Sequence, residues 1–245
     1  MGRYDSVMGA TSITVGFLHP GDVAGCFAES LSTTQLADRR IGRIRSIIGM
    51  QSSPRLVEAR SQMVDAFLTL RDEWLLMIDA DMAWTFEDFE LLAKHADPDD
   101  VPIIGGLCFG GGRSHDDLGR LTIFPTLYEL SRDEDGNLAS RTIVDYPKDT
   151  LLRVDATGAA FLMVHRRVFT TMRKHPSLAT TPDGYQNPHP WFGEVYHRGR
   201  SLGEDVTFCI RAQGCGFPTH VHTGARIKHQ KRTYLTEAMF DDNHR

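Results

Sequence analysis

The chain has 245 residues, 41% of them hydrophobic, with 27 Lys and Arg against 32 Asp and Glu for a net charge of −5. That length and composition fit a soluble globular protein with one sizeable core, and the lack of a basic excess argues against non-specific nucleic-acid binding. No apolar run approaches the roughly 18 to 20 residues that span a bilayer, and no basic segment leads into a long apolar stretch at the start, so a cytoplasmic protein without a membrane span or cleaved signal is expected.

Ser12 to Leu18 reads as a first buried strand stopped by His19-Pro20-Gly21-Asp22, with a helix over Ala24 to Gln35 and a second strand over Arg43 to Met50. Ser53-Pro54 looks like a helix start, since Leu56, Ala59, Met63, Phe67 and Leu70 follow at helical spacing. The apolar run Trp74 to Ile78 reads as a buried strand that ends in Asp79-Ala80-Asp81. Thr85 with Asp88 three residues on resembles a capping pair for a short helix through Phe89, Leu92 and Ala93, broken by Asp97-Pro98-Asp99-Asp100. Val101 to Phe109 is a further strand. Gly110-Gly111-Gly112 reads as a mobile loop, because no Gly-Lys-Ser/Thr follows to make a phosphate loop, and a loop over 110 to 118 is expected to close over a ligand.

The second half changes character. Ile123 to Leu130 and Arg141 to Asp145 flank the turn Asp133 to Asn137 and suggest a hairpin; Val154 to Val164 reads as one strand interrupted by Gly158, and Val168 to Arg173 as a helix. Thr180 to Pro190 has the composition of a surface loop. Glu204-Asp205 heads the helical pattern Val206, Phe208, Cys209, Ile210, Ala212, where the acidic pair serves as a helix-dipole device or as a general base. The four cysteines, Cys26, Cys108, Cys209 and Cys215, suit reduced thiols, and the spacing of Cys209 and Cys215 with His220 and His222 misses the usual zinc patterns.

Alternating strands and helices over the first hundred residues predict an α/β protein with a mostly parallel central sheet flanked by helices and a small antiparallel element in the second half. In such sheets ligands bind outside the carboxyl ends of the strands, where Asp79 and Asp81 fall. Paired carboxylates there suit Mg²⁺ or Mn²⁺ and, through the ion, a diphosphate. Three histidines and two lysines between His220 and Lys231 alternate with apolar residues, as at a strand edge facing a polar site. Trp191 and Phe192 follow the polar loop and suit either stacking on an acceptor sugar or a place in the core; the acceptor role is the expectation.

The order of parts resembles the GT-A fold glycosyltransferases of family 2 type, compact bacterial and phage enzymes among them. It is carried by a first strand ending in a polar turn, Glu58-Ala59-Arg60-Ser61-Gln62 before Asp79-Ala80-Asp81, Gly158 to Leu162 as Gly-Ala-Ala-Phe-Leu, then Gly203-Glu204-Asp205-Val206 and a late histidine, over roughly Ile13 to Lys231. The resemblance implies a Rossmann-like nucleotide-diphospho-sugar transferase domain over 1–245, with a nucleotide-sugar-binding half at about 12–110 and an acceptor-binding half at about 120–235. It implies Asp79, Ala80 and Asp81 at the donor, Asp81 and His229 on the metal with His222 as runner-up, Asp205 as catalytic base with Glu204 beside it, and His19, Pro20 and Arg60 around the nucleotide.

The implied activity is metal-dependent, inverting sugar transfer from a UDP- or GDP-sugar to a glycan or protein acceptor, in the host cytoplasm if the chain is phage-encoded. Two departures stand out: Ala-Arg-Ser replaces the frequent Ala-Arg-Asn, and no acidic residue ends the second strand to read a base. A nucleotidyltransferase acting on sugar phosphates would want a basic glycine-rich loop after the first strand, and His19 to Gly25 holds no Lys or Arg. A non-catalytic nucleotide-sugar-binding module is the remaining alternative.

Overall fold

A computed structural model describes residues 11–52, 55–113, 121–132, 134, 136, 138–180, 184–188, 190–193, 195–197 and 200–231. The first half runs β1 (Ile13–His19), α1 (Gly25–Asp38), β2 (Ile44–Gln51), α2 (Leu56–Thr69), β3 (Trp74–Asp79), β4 (Met82–Ala83), α3 (Phe86–His95), β5 (Ile103–Leu107), β6 (Phe109–Arg113) and β7 (Leu121–Pro125). The second half runs β8 (Leu127–Arg132), β9 (Leu138–Thr142), β10 (Leu151–Val154), β11 (Ala156–Thr157), β12 (Phe161–His165), α4 (Arg166–Lys174), α5 (Pro176–Ala179), β13 (Val195–His197), β14 (Arg200–Leu202), α6 (Glu204–Gly214), β15 (Thr219–Arg226) and β16 (Lys228–His229). No helix among the described residues is long and apolar enough to cross a membrane.

Seven strands form the central sheet in the order β10-β15-β5-β12-β3-β1-β2, drawing on both halves of the chain. β15, β5, β3, β1 and β2 run one way and β12 and β10 the other, so the sheet is mostly parallel, as the alternation of elements predicts. β3 lies near the middle with both faces covered, which is why its sequence is continuously apolar rather than alternating. Leu75 and Met77 point into a core with Met63, Phe67, Phe169 and Phe208 from α2, α4 and α6. Trp74, Leu76 and Ile78 point the other way, toward Phe27, Phe89 and Leu92 from α1 and α3. The chain leaves β1 for β2 on one side and returns to β3 on the other, so the carboxyl ends of β1 and β3 form a topological switch point, where open α/β sheets bind ligands.

Local chemistry explains the helix ends. Thr85 and Asp88 form a complete capping box, and the second Asp88 oxygen accepts the Arg226 backbone N–H at 2.9 Å, tying α3 to the end of β15. Arg166 closes the other end of a helix: its guanidinium donates to the carbonyls of Phe67, Leu68, Leu70 and Asp72 at 2.8–3.2 Å, covering acceptors that the end of α2 leaves open. α2 lies so close to β1 that a Cβ on Gly16 would sit 2.6 Å from Met63 Sδ.

Several expected elements differ. Gly110-Gly111-Gly112 is no loop but part of β6, paired antiparallel with β7; a Cβ on Gly110 would meet the Phe124 ring at 2.6 Å, so the glycine makes room for a cross-strand aromatic. Residues 114–118 of the expected closing loop lie outside the described residues, as do Ser53, Pro54 and three positions of the 133–137 turn. α2 starts at Leu56 with Arg55 before it and no side-chain cap bond. The hairpin exists as β8 with β9, but the stretch before it turns away to pair with β6. Val154 to Val164 divides among three strands, because Ala156 and Thr157 pair with β8 whereas β10 and β12 join the central sheet.

Candidate active site

Each residue of Asp79-Ala80-Asp81 is pinned by the backbone of a different element. Asp79 N–H donates to the Ala160 carbonyl before β12, the Ala80 carbonyl accepts from Ala24 at the entry to α1, and the Asp81 carbonyl accepts from Gln230 after β16. Two aspartate side chains at a strand end thereby acquire fixed directions. They open on a cavity of about 410 Å³ lined also by Leu18, Pro20, Asp22, Ser52, Arg60 and Lys231. Pro20 and Arg60 thus line the same cavity as Asp79 and Asp81; His19 is one residue back, its ring 5.9 Å from that of Phe17. A larger cavity of about 790 Å³ lies between the β8-β9 hairpin and β10, but it contains none of the aspartates at the strand ends, so chemistry rather than size marks the site.

His229 reaches Asp81 through the pairing of β16 with β4, which sets His229 opposite Met82. Its Nε2 lies 3.0 Å from Asp81 Oδ2, and its Nδ1 lies 2.9 Å from the Phe109 carbonyl. A carbonyl only accepts, so Nδ1 donates to it, and Nε2 faces a carboxylate that is also an acceptor, a contact that calls for a proton or a cation between the two. A metal-ligating histidine is commonly oriented in this way by a backbone carbonyl on its far nitrogen. Lys231 Nζ stands 3.5 Å from the same Asp81 oxygen and adds positive charge at the cavity mouth. The runner-up, His222, is elsewhere: its ring packs 4.7 Å from that of His95, and its Nδ1 accepts the Gly224 N–H.

Asp81 and His229 offer one carboxylate oxygen and one imidazole nitrogen, a donor set that suits Mn²⁺ and, less well, Mg²⁺. Among the described residues no group of three or more His, Cys, Asp or Glu is placed to hold a metal ion. The fit is therefore to an ion that takes two protein ligands and completes its sphere with substrate phosphate oxygens and water, a common arrangement for Mg²⁺-type ions.

Glu204 and Asp205 occupy the first turn of α6, where negative charge complements the helix dipole. Asp205 makes no capping bond, and its surroundings are unusual. Burial pushes its carboxyl up to about 6 and Glu204 and Asp79 push the same way, while Arg60 and the Ala159 backbone N–H pull it down. Its Oδ1 is buried with no hydrogen-bond partner among the described residues. Arg60 links the two carboxylate groups, with Nη2 3.3 Å from Asp79 Oδ1 and 3.7 Å from Asp205 Oδ1. Tyr128 on β8 is the residue the sequence did not announce. Burial and the Asp205 charge both push its hydroxyl up, which marks it as a neighbour of Asp205.

Trp191 and Phe192 correct the expected acceptor role. They are 1% and 0% exposed, and neither ring has a face open to a sugar. Trp191 Nε1 donates to the Phe169 carbonyl at 3.0 Å, and Phe192 stacks on Phe208 at 4.9 Å beneath α6. Their place is the core under the site, with the Arg60 guanidinium 6.0 Å above the Phe192 ring.

The sequence matches no protein-family model and no curated protein sequence. Solved structures do resemble it. Over 92% of this chain and 45% of that chain, the structure titled GalNAc-T7 with UDP, GalNAc and Mn²⁺ aligns at 13% identity and a TM-score of 0.54. The present chain thus spans less than half of the length of that protein. Two likenesses are looser: A197 from STIV, at 12% identity over 92% and 97% of the two chains with a TM-score of 0.48, and a glycosyltransferase involved in glycosylation of the PBCV-1 major capsid, at 12% over 70% and 71% with a TM-score of 0.32. The mostly parallel seven-stranded sheet, covered by helices on both faces and shared with GalNAc-T7, is a GT-A fold.

Proposed function

We propose that this protein is a metal-dependent, inverting glycosyltransferase of family 2 type, moving a sugar from a UDP- or GDP-sugar to a hydroxyl of a glycan or protein acceptor. The observation that carries the reading is the pairing of Asp81 Oδ2 with His229 Nε2 at 3.0 Å on the rim of the switch-point cavity. That the GT-A neighbour GalNAc-T7 holds UDP, GalNAc and Mn²⁺ supports the same choice of donor and ion.

Asp81 and His229 would hold Mn²⁺ or Mg²⁺, which when bound supplies positive charge to the oxygens of the departing diphosphate. Lys231 brings further positive charge to the same mouth. Asp79 and Arg60 line the donor cavity, and Pro20 with Ser52 forms the wall where the nucleoside would rest. Asp205 accepts the acceptor's hydroxyl proton as the hydroxyl oxygen bonds to the anomeric carbon. The bond from that carbon to the diphosphate oxygen breaks on the opposite face, leaving a nucleoside diphosphate and an inverted product. An acid that loses its proton near pH 6 is a carboxylate at neutral pH and a better base than an ordinary aspartate. The half of the chain from about 120 to 235, which supplies Asp205 and Tyr128, would carry the acceptor.

Incubating the protein with Mn²⁺ and a panel of UDP-, GDP- and dTDP-sugars tests the reading directly. Release of nucleoside diphosphate from one donor class, abolished by chelation, is expected. No turnover and no Mn²⁺-dependent nucleotide binding across the panel would overturn it.

A further inference from the structure

Arg60 is 4% exposed and faces carboxylates from two distant segments: Asp79 at the end of β3, and Glu204 and Asp205 at the start of α6. Only the Asp79 contact, at 3.3 Å, is a hydrogen bond; Glu204 stands 3.6 Å from Nε and Asp205 3.7 Å from Nη2. Arg60 Nε and Asp205 Oδ1 are both buried without a hydrogen-bond partner among the described residues. Buried polar atoms left open in this way are uncommon and need a reason.

The surroundings fix both groups. Arg60 Nη1 donates to the Ala159 carbonyl at 3.5 Å, and its guanidinium rests over Phe192. The Ala159 N–H donates to Asp205, so residue 159 holds the arginine and the aspartate at once. At 3.7 Å the guanidinium holds the buried Oδ1 by charge, and the exposed part of the carboxylate is left to receive a proton.

We propose that Arg60 is a positioning residue that acts through Asp205, holding the buried Oδ1 side of its carboxylate from α2 so that the exposed side of the group faces the acceptor hydroxyl. The inference rests on the reading of Asp205 as the base. It separates Arg60 from the general task of binding donor phosphate, because its positive charge is already shared among three carboxylates.

The charged and titratable groups that face Asp205 are Arg60 from α2, Glu204 on α6, Asp79 from β3, Tyr128 from β8, Cys108 after β5 and Cys209 within α6. Of the side chains among them, Arg60 alone pulls the Asp205 carboxyl down, while Glu204 and Asp79 push it up. Loss of Arg60 therefore moves Asp205 in a direction that general loosening of the fold does not require.

The test measures the Asp205 titration by carboxyl ¹³C NMR in the full chain, assigned with Asp205→Asn, alongside the pH profile of kcat/KM for sugar transfer. Arg60→Gln is expected to raise the Asp205 titration and the acid limb of the profile together by at least about one pH unit. Arg60→Lys is expected to return both toward wild type, and Glu204→Gln to move them down. An unchanged Asp205 titration in folded Arg60→Gln overturns the proposal. Should that variant not fold, Arg60→Met, which keeps much of the length and drops the charge, replaces it, and an unchanged Asp205 titration there overturns the proposal equally. Wild-type transfer by Asp205→Asn overturns the base reading itself, and the NMR shift then still reports whether Arg60 acts on Asp205.

Discussion

His229 Nε2 lies 3.0 Å from Asp81 Oδ2 although 148 residues separate them, and it does so because β16 pairs with β4 immediately beyond the aspartate. The Phe109 carbonyl fixes which nitrogen faces Asp81, so three segments converge on one contact. The same arrangement leaves His222 beside His95, on β15 of the central sheet.

Asp81→Asn and His229→Ala are each expected to weaken Mn²⁺-dependent nucleotide binding by at least about tenfold. Folded His222→Ala should leave the Mn²⁺ dependence as it is. Titration calorimetry with and without chelator checks all three, and unchanged affinity in Asp81→Asn would remove the metal assignment.

Asp205→Asn is expected to keep donor affinity and lose about 10²- to 10⁴-fold in transfer rate. The wild-type rate should rise with pH through about 6 as the Asp205 carboxyl loses its proton, then level off. Steady-state rates between pH 4.5 and 8 measure both, and a profile flat through pH 6 would point to another base.

The same shift has a stability consequence. The Asp205 carboxyl is raised from 3.8 to about 6 in the folded protein, so between those values the folded state binds the proton that the unfolded state has released. Its contribution is fully present below pH 3.8 and is lost as pH rises through 6. Asp205→Asn should therefore melt higher than wild type at pH 8, by roughly 2–8 °C for about 1–2 kcal/mol, and show little difference at pH 4. Calorimetric melts at the two pH values decide it; a lower melting point for the variant at pH 8 is the contrary result.

Trp191→Ala should destabilise the fold by about 3–5 kcal/mol through the cavity it leaves. Phe192→Leu, which keeps most of the volume, should cost under about 1.5 kcal/mol and leave the acceptor KM unchanged. A rise in acceptor KM with normal melting in Phe192→Leu would restore the ring to the acceptor site.

Arg166→Ala leaves the Phe67, Leu68, Leu70 and Asp72 carbonyls without that donor and should cost about 2–3 kcal/mol in urea unfolding, with no change in nucleotide binding. A loss below about 0.5 kcal/mol would mean that water replaces the guanidinium without penalty.

What the sequence determined by itself was local. The strand through Trp74 to Asp79 and the capping box at Thr85 and Asp88 were legible because an unbroken apolar run and a capping pair act within a few residues. So was the place of Asp79 and Asp81 at a strand end, since a buried strand must stop where two carboxylates need water. Tertiary structure alone decided the rest. Which histidine joins Asp81 depends on the register of β16 against β4, and whether Phe192 meets a sugar or a core depends on what α6 lays over it. The division of 154–164 among different sheets, and the strand made of Gly110-Gly111-Gly112, follow from distant pairing partners that supply the backbone hydrogen bonds. Asp205 acquired its unusual basicity only when folding took it out of water and set Asp79 near it, with Arg60 beside it pulling the other way, because desolvation and charge proximity belong to three-dimensional neighbours.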